Sequence, residues 1–167
     1  MKGGSVHIAI IYHSETGNTE RMAELVREGC MGIPGIEARC MPVDAVDQAY
    51  VDAAQAVILG SPTYEGSCTW QMKRYLDRDA RALAGKLGGV FVSQNWPGGG
   101  GGSFAEMTMI AGMLVRGMLI YSGGIAEGQP YLHFGAVSSR APDEDLYHQR
   151  CLKLGENIAR KALELFG

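Results

Sequence analysis

Cysteine is scarce in this sequence, and its spacing argues against several kinds of site. The four cysteines are Cys30, Cys40, Cys68 and Cys151, and no two of them form a C-x-x-C pair. Zinc sites and iron–sulfur clusters need closely spaced cysteines, and small secreted proteins need a paired disulfide framework. We therefore predict neither a metal site nor a disulfide-stabilised fold.

Long apolar runs and strong net charge are also missing. No apolar stretch approaches the roughly 18 residues of a membrane-spanning helix, and Met1–Ser5 has no signal-peptide core. The chain has 15 Lys and Arg against 18 Asp and Glu, and its net charge of −3 gives no electrostatic reason to bind nucleic acid. We expect a cytoplasmic protein with no membrane insertion and no nucleic-acid partner.

What the sequence does contain is a set of strand-length apolar runs that alternate with helical patterns. The predicted strands are 6–11, 36–41, 54–60, 89–94 and 118–121. The predicted helices lie in 21–31, 72–83, 104–114 and 143–166, and 123–141 is a long irregular connection. This alternation is typical of an α/β fold built from βαβ units. We predict one domain over residues 1–167, a three-layer α/β/α fold whose five-stranded parallel sheet has the order 2-1-3-4-5.

The helical spacing also predicts which side chains face the core. In the last two helices these are Phe104, Met107, Ile110, Ala111 and Leu114, followed by Leu146, Leu154, Ile158, Ala162 and Leu165.

The connection between the first strand and the first helix is rich in hydroxyl groups. Its residues are Ser14, Glu15, Thr16, Gly17, Asn18 and Thr19. The first N–H groups of a helix lack internal partners, and the helix dipole favours an anion beside them. Ordinary N-capping is the alternative, but this segment holds more polar side chains than one cap needs. The Gly-Lys-Ser/Thr ending of a triphosphate loop and the Gly-x-Gly-x-x-Gly of a dinucleotide site are both missing. We predict a mononucleotide site, with flavin mononucleotide (FMN) as the leading candidate and the Glu15 side chain facing solvent.

This loop and four further segments resemble the flavodoxin-like superfamily. The segments are Gly60–Gly66, Gln71–Asp77, Val90–Ser93 and Arg116–Met118. Within the superfamily, the chain looks most similar to the branch of WrbA-type NAD(P)H:quinone oxidoreductases. The resemblance implies a flavodoxin-like domain that binds FMN. Its site would be formed by the loops that follow the first, third and fourth strands, which meet at the topological switch point.

The resemblance also implies which residues of the second and third loops contact the flavin. They are Pro62, Thr63, Tyr64 and Glu65, and then Ser93, Gln94, Asn95, Trp96 and Gly98. The second loop could instead be a proline-containing turn with a surface tyrosine. The third contains five consecutive glycines, which suit either a close backbone approach to a flat ligand or a disordered linker. Gln94 to Pro97 depart from the family's pattern.

Three residues are candidates for substrate or cross-subunit contacts. Trp96 could stack on the flavin, cover a substrate or pack against another subunit. Arg116 stands where family members have a cofactor-reaching histidine, and it could pair with a phosphate or a carboxylate. His133 lies in the irregular connection and could approach the flavin of a partner subunit.

The features together predict an FMN-dependent NAD(P)H:quinone oxidoreductase. Hydride would pass from NADH or NADPH to flavin N5 and then to a quinone, and since the flavin carries this chemistry, no catalytic side chain is predicted. The resemblance implies a homodimer or homotetramer. Two alternatives are a flavodoxin-type carrier that shuttles single electrons between proteins and an NAD(P)H-dependent flavin reductase. Flavodoxin carriers are usually strongly acidic around the flavin, whereas this chain is near charge balance.

Overall fold

The predicted α/β class is confirmed, and the predicted order 2-1-3-4-5 holds for the five main strands, but the sheet has seven strands and includes one antiparallel pair. The structure, a computed structural model, describes residues 5–167. Its strands are β1 (Val6–Tyr12), β2 (Ile36–Pro42), β3 (Ala56–Tyr64), β4 (Ser67–Cys68), β5 (Leu87–Gln94), β6 (Leu119–Ile120) and β7 (Ala136–Ser139). β2, β1, β3, β5 and β6 lie side by side in that order, and all their pairings are parallel.

Helices cover both faces of the sheet, which gives the expected α/β/α layers. They are α1 (Asn18–Met31), α2 (Gln48–Ala53), α3 (Trp70–Arg74), α4 (Gly102–Val115) and α5 (Asp145–Phe166). Successive side chains of a strand point to opposite faces. Ile8 and Ile10 therefore join the core under α1 and α5, while Ala9 and Ile11 join the core under the other helices. In the described part of the chain, no helix is long and apolar enough to cross a membrane.

The fifth strand is split, which corrects the predicted sheet. β6 pairs with Leu87–Gly88 of β5, and β7 pairs with Phe91–Gln94 further along the same strand. Residues 121–135 leave the sheet between these two pieces. β7 lies inside the segment 123–141, which was predicted to be irregular. The prediction missed this strand because four residues are too few for a clear alternation of apolar and polar side chains.

The predicted helix over 72–83 is also shorter than expected. α3 passes into a single π-helical turn, Tyr75–Asp79, and the helix ends there.

The core-facing side of α4 differs from the prediction. Ile110 is buried as predicted, but Phe104 is 72% exposed and Met107, Ala111 and Leu114 are also exposed, whereas Ala105 and Met109 are fully buried. α4 is apolar around most of its circumference, so the spacing of apolar residues does not select one face. In α5, Leu154, Ile158 and Ala162 are buried as predicted, but Leu146 and Leu165 near its ends are exposed.

Candidate anion and ring-binding site

The first turn of α1 has unused backbone donors. The helix begins at Asn18 after Gly17, and no side chain among residues 5–167 caps it. α2 and α3 are capped by the side chains of Asp47 and Thr69, whereas α4 and α5, like α1, have no side-chain cap. Ser14 Oγ accepts the Gly17 N–H at 3.2 Å, one residue before the helix. The first-turn N–H groups of this 14-residue helix therefore remain available to an anion.

Glu15 points away from this helix end, as expected. Its side chain is exposed, and its Oε1 lies 3.4 Å from His13 Nε2. Partial burial raises the pKa of Tyr64, and the nearby Glu15 carboxylate raises it further. The Glu15 side chain therefore lies where the loop after β1 approaches the end of β3.

A buried hydrogen bond joins the first turn of α1 to the end of β5. Thr19 Oγ1 and Ser93 Oγ are 2.9 Å apart, and both residues are buried. Ser93 is also the register partner of Pro62 on β3. These contacts bring predicted residues of all three loops to the carboxyl edge of the sheet.

The second predicted loop is a strand end followed by a tight hairpin. Thr63 and Tyr64 belong to β3 and pair with Cys68 and Ser67 of β4. Glu65 and Gly66 form the two-residue turn with positive φ values of 49° and 71°, which matches the hairpin turn that favours glycine. Thr63 Oγ1 is buried and has no hydrogen-bond partner within the described residues. The sequence left open a proline-containing turn as the alternative to a loop that contacts the flavin. Pro62 is not in a turn, because it belongs to the extended strand β3, which ends at the site.

Gln94 organises the glycine-rich third loop. Its Oε1 accepts the Gly102 N–H at 2.9 Å, and its backbone oxygen accepts the Arg140 N–H at 2.7 Å. A Cβ on Gly100 or Gly102 would come within 2.8 Å of Gln94 Oε1. At Gly100 the nearest atom would be the Trp96 backbone oxygen at 2.4 Å, so the backbone itself requires a glycine there, whereas at Gly102 the Gln94 side chain would have to move. Gly98 and Gly99 have open space where a side chain would be.

Exposed aromatic side chains border the three loops. Trp96 is 69% exposed in the glycine-rich loop, Trp70 is 67% exposed at the start of α3, and Tyr64 is 41% exposed. Asn95 beside Trp96 is exposed as well. Flat, amphipathic side chains of this kind can cover a planar ligand.

The sequence prediction missed a cavity beside this edge. It has a volume of about 430 Å³ and is lined by His13, Asp44, Trp70, Gln71, Arg74 and other residues. Two buried polar atoms of its lining residues, Gln71 Oε1 and Tyr75 Oη, have no hydrogen-bond partner in residues 5–167. Gln71 was available as a signal, because it belongs to a segment that carries the family resemblance.

The structure places Arg116 and His133 outside this cluster. Arg116 lies past the end of α4, about 20 Å of helix away from the glycine-rich loop, and donates hydrogen bonds to the carbonyl oxygens of Leu76 and Asp77. These hydrogen bonds engage the Arg116 guanidinium within its own chain, and a contact between Arg116 and a cofactor stays a prediction. His133 is exposed and lines a different cavity with Glu106 and Arg150.

An open helix N-terminus where the strand order reverses is typical of phosphate-binding, doubly wound α/β proteins. Residues 10–112 match the flavodoxin family model, and the chain belongs to the flavodoxin family. It is 38% identical to a flavodoxin of Clostridium saccharobutylicum over 95% of this chain and 99% of that protein.

Relatives named as quinone dehydrogenases are also similar. An NAD(P)H dehydrogenase (quinone) of Acidithiobacillus ferrooxidans is 31% identical over 74% of this chain and 80% of that protein. Among solved structures, a flavodoxin, WrbA-like protein from Agrobacterium tumefaciens has a TM-score of 0.74 at 24% identity, with 96% of this chain and 99% of that chain covered. At this level of sequence identity, the structural similarity to the WrbA-like protein supports a shared fold. The predicted flavodoxin-like superfamily is confirmed, and the WrbA-type branch within it stays a prediction.

Proposed function

We propose that this protein binds FMN and acts as a flavodoxin-type electron carrier. The observation that carries the proposal is the uncapped N-terminus of α1, whose first-turn N–H groups suit a terminal phosphate. Membership of the flavodoxin family supports it, as does the 38% identity to a flavodoxin over nearly the whole chain.

The residues at the site fit FMN by their donor chemistry. Ser14, Thr16 and Asn18 would hold the phosphate with the first-turn amides, while the Thr19 hydroxyl is engaged with Ser93. A polar ligand atom at the hairpin would satisfy Thr63 Oγ1. When bound, FMN would supply the electron-transfer chemistry, and the protein would position it and restrict its contact with water.

The phosphate contacts can be tested by comparing FMN with riboflavin, which lacks the phosphate. Removal of one charge-assisted hydrogen bond should weaken FMN binding by about 10- to 150-fold. We expect this loss for Thr16→Ala in a titration followed by flavin fluorescence, with little change for riboflavin. Ser5→Ala, at the opposite end of β1, is the matched control. Equal affinity of the wild-type protein for FMN and riboflavin would contradict the proposal.

An NAD(P)H:quinone oxidoreductase is the second candidate function. The cavity of about 430 Å³ beside His13 and Trp70 favours it, because a small planar substrate needs room next to the flavin site. The open space at Gly98 and Gly99 and the near-balanced charge are also compatible with an accessible flavin. The similarity to an NAD(P)H dehydrogenase (quinone) adds support.

Anaerobic reduction separates the two functions. FMN-loaded protein is mixed with NADH or NADPH, and the flavin absorbance is followed by stopped flow. A carrier should not be reduced by either nucleotide, and slow reduction by dithionite should give a stable radical signal in electron paramagnetic resonance. Rapid bleaching by a nucleotide, with recovery on addition of benzoquinone, would favour the oxidoreductase.

We further propose that the exposed apolar side of α4 lets the chain form a homodimer. Phe104, Met107, Leu114 and Val115 are exposed on this helix. A broad cavity of about 780 Å³ runs along it. Light scattering coupled to size exclusion should give a dimer mass that Phe104→Glu reduces to the monomer mass. Phe166→Glu, an exposed aromatic position at the end of α5, is the control.

A further inference from the structure

A buried carboxylate lies outside the proposed FMN site. Glu106 on α4 is only 2% exposed, and its Oε1 has no hydrogen-bond partner among the described residues. Removal from water raises the pKa of this carboxyl to about 7, and Arg150 opposes the shift. Buried carboxylates are normally paired or hydrogen-bonded, so an open Oε1 needs an explanation.

The opposite charge faces the same cavity but does not pair with Glu106. Arg150 on α5 has a buried Nε that, within residues 5–167, also lacks a hydrogen-bond partner. The two side chains line one cavity, and no ion pair with a nitrogen–oxygen distance of 4.0 Å or less joins them in the described chain. The lining of this cavity therefore includes one residue of α4 with an unsatisfied buried acceptor and one residue of α5 with an unsatisfied buried donor.

The rest of the cavity is formed mainly by the segment that splits the fifth strand. The volume is about 280 Å³, and the further lining residues are Ser103, Tyr131, His133, Phe134, Gly135 and Val137. Tyr131 and Phe134 are partly exposed and offer aromatic surface. The volume lies just below the range of about 300–1,000 Å³ that is usual for pockets of drug-sized ligands, which suits a single-ring molecule.

We propose that this cavity binds a small planar amide or lactam, whose N–H donates to Glu106 Oε1 and whose carbonyl oxygen accepts from Arg150 Nε–H. A carboxylate ligand would be repelled by Glu106, and an amine would be repelled by Arg150. A neutral group with a donor beside an acceptor satisfies both atoms, and a flat ring packs against the aromatic lining. The proposal does not depend on the function proposed above, since neither charged residue belongs to the three loops.

The test uses FMN-loaded protein, so that the flavin site is occupied, at pH 8, where Glu106 is ionised. Nicotinamide serves as the probe, and binding is followed by nuclear magnetic resonance through the His133 ring protons and the Arg150 Nε–H signal. We expect saturable binding with a dissociation constant on the order of 1 mM. Methyl nicotinate, which has no N–H group, and nicotinate, which is an anion, should bind at least about tenfold more weakly.

Substitutions test the same contacts from the protein side. Glu106→Leu and Arg150→Met should each weaken nicotinamide binding by about tenfold or more. Glu28→Leu on α1 and Arg160→Met on α5 are matched controls at exposed positions and should leave binding unchanged. If Glu106→Leu fails to fold, the comparison of nicotinamide with methyl nicotinate still decides. Equal binding of these two probes, or no shift of the Arg150 signal with nicotinamide, would overturn the proposal.

Discussion

The buried hydrogen bond between Thr19 and Ser93 allows a quantitative test of how the start of α1 and the end of β5 are held together. The two hydroxyl oxygens are 2.9 Å apart, and the residues are 1% and 4% exposed. Thr19→Val keeps the shape of the side chain but removes its hydroxyl, so Ser93 Oγ would remain buried without this partner. Leaving a buried polar group unsatisfied costs about 1–3 kcal/mol. We therefore expect the free energy of unfolding of the FMN-free protein to fall by about this amount.

Urea unfolding followed by circular dichroism measures the loss. With a slope of about 2 kcal/mol per molar urea, the midpoint should fall by about 0.5–1.5 M. Thr16→Val is the matched control, because Thr16 is exposed in the loop just before α1. It should change the free energy by less than about 0.5 kcal/mol.

A double-mutant cycle isolates the interaction itself. Ser93→Ala removes the other hydroxyl, and the double variant leaves neither group unsatisfied. The loss in the double variant should be smaller than the sum of the single losses by at least about 0.5 kcal/mol. The reasoning is refuted if the two losses simply add, or if Thr19→Val has no larger effect than Thr16→Val.

Three further predictions follow from packing and from raised pKa values. Gly155→Ala should lower the unfolding free energy by about 1–3 kcal/mol in urea titrations, because its Cβ would lie 2.1 Å from a backbone oxygen of α1. Gly32→Ala is the control. Its Cβ would have its nearest neighbour at 3.4 Å, so this substitution should not destabilise the protein. The raised pKa of Glu106, about 7 against 4.5 for an ordinary Glu, means that the folded state keeps a proton that the unfolded state loses. Stability should therefore decline as pH rises through this window, and Glu106→Gln should flatten the decline in unfolding curves recorded from pH 4.5 to 8. Burial raises the pKa of the Cys30 thiol, and it raises the pKa of the Cys151 thiol to about 12. In intact-mass time courses with iodoacetamide at pH 8, both cysteines should react at least about 100-fold more slowly in the folded protein than in urea. Comparable rates in the two conditions would contradict their burial.

The strands and the phosphate-type loop could be predicted because their signals are local. β1 is a continuous apolar run, and Ser14–Thr19 combines hydroxyl groups with a glycine at the start of a helix. Such features depend on neighbouring residues and on the backbone donors at the end of a helix, and these can be recognised without knowing what packs around them.

The face of α4 and the role of Gln94 could not be predicted in this way. α4 is apolar nearly all round, so its orientation is chosen by the strands and by the π-helical turn Tyr75–Asp79, which contact it. Gln94 was predicted to contact cofactor, yet its side chain holds the Gly102 N–H, eight residues further along the chain. No periodicity encodes a hydrogen bond between a strand end and the helix that follows a glycine-rich loop.

The sequence by itself determined the α/β class, the order of the five main strands and the position of a helix end suited to an anion, because these follow from apolar periodicity and from loop chemistry. Only the tertiary structure decided that the fifth strand is interrupted, that Arg116 caps carbonyl oxygens far from the glycine-rich loop, and that Glu106 and Arg150 face one cavity. The physical reason is that burial and pairing depend on which distant segments meet. Glu106 and Arg150 are 44 positions apart in the sequence, and their shared environment exists only once α4, α5 and residues 131–137 have packed together.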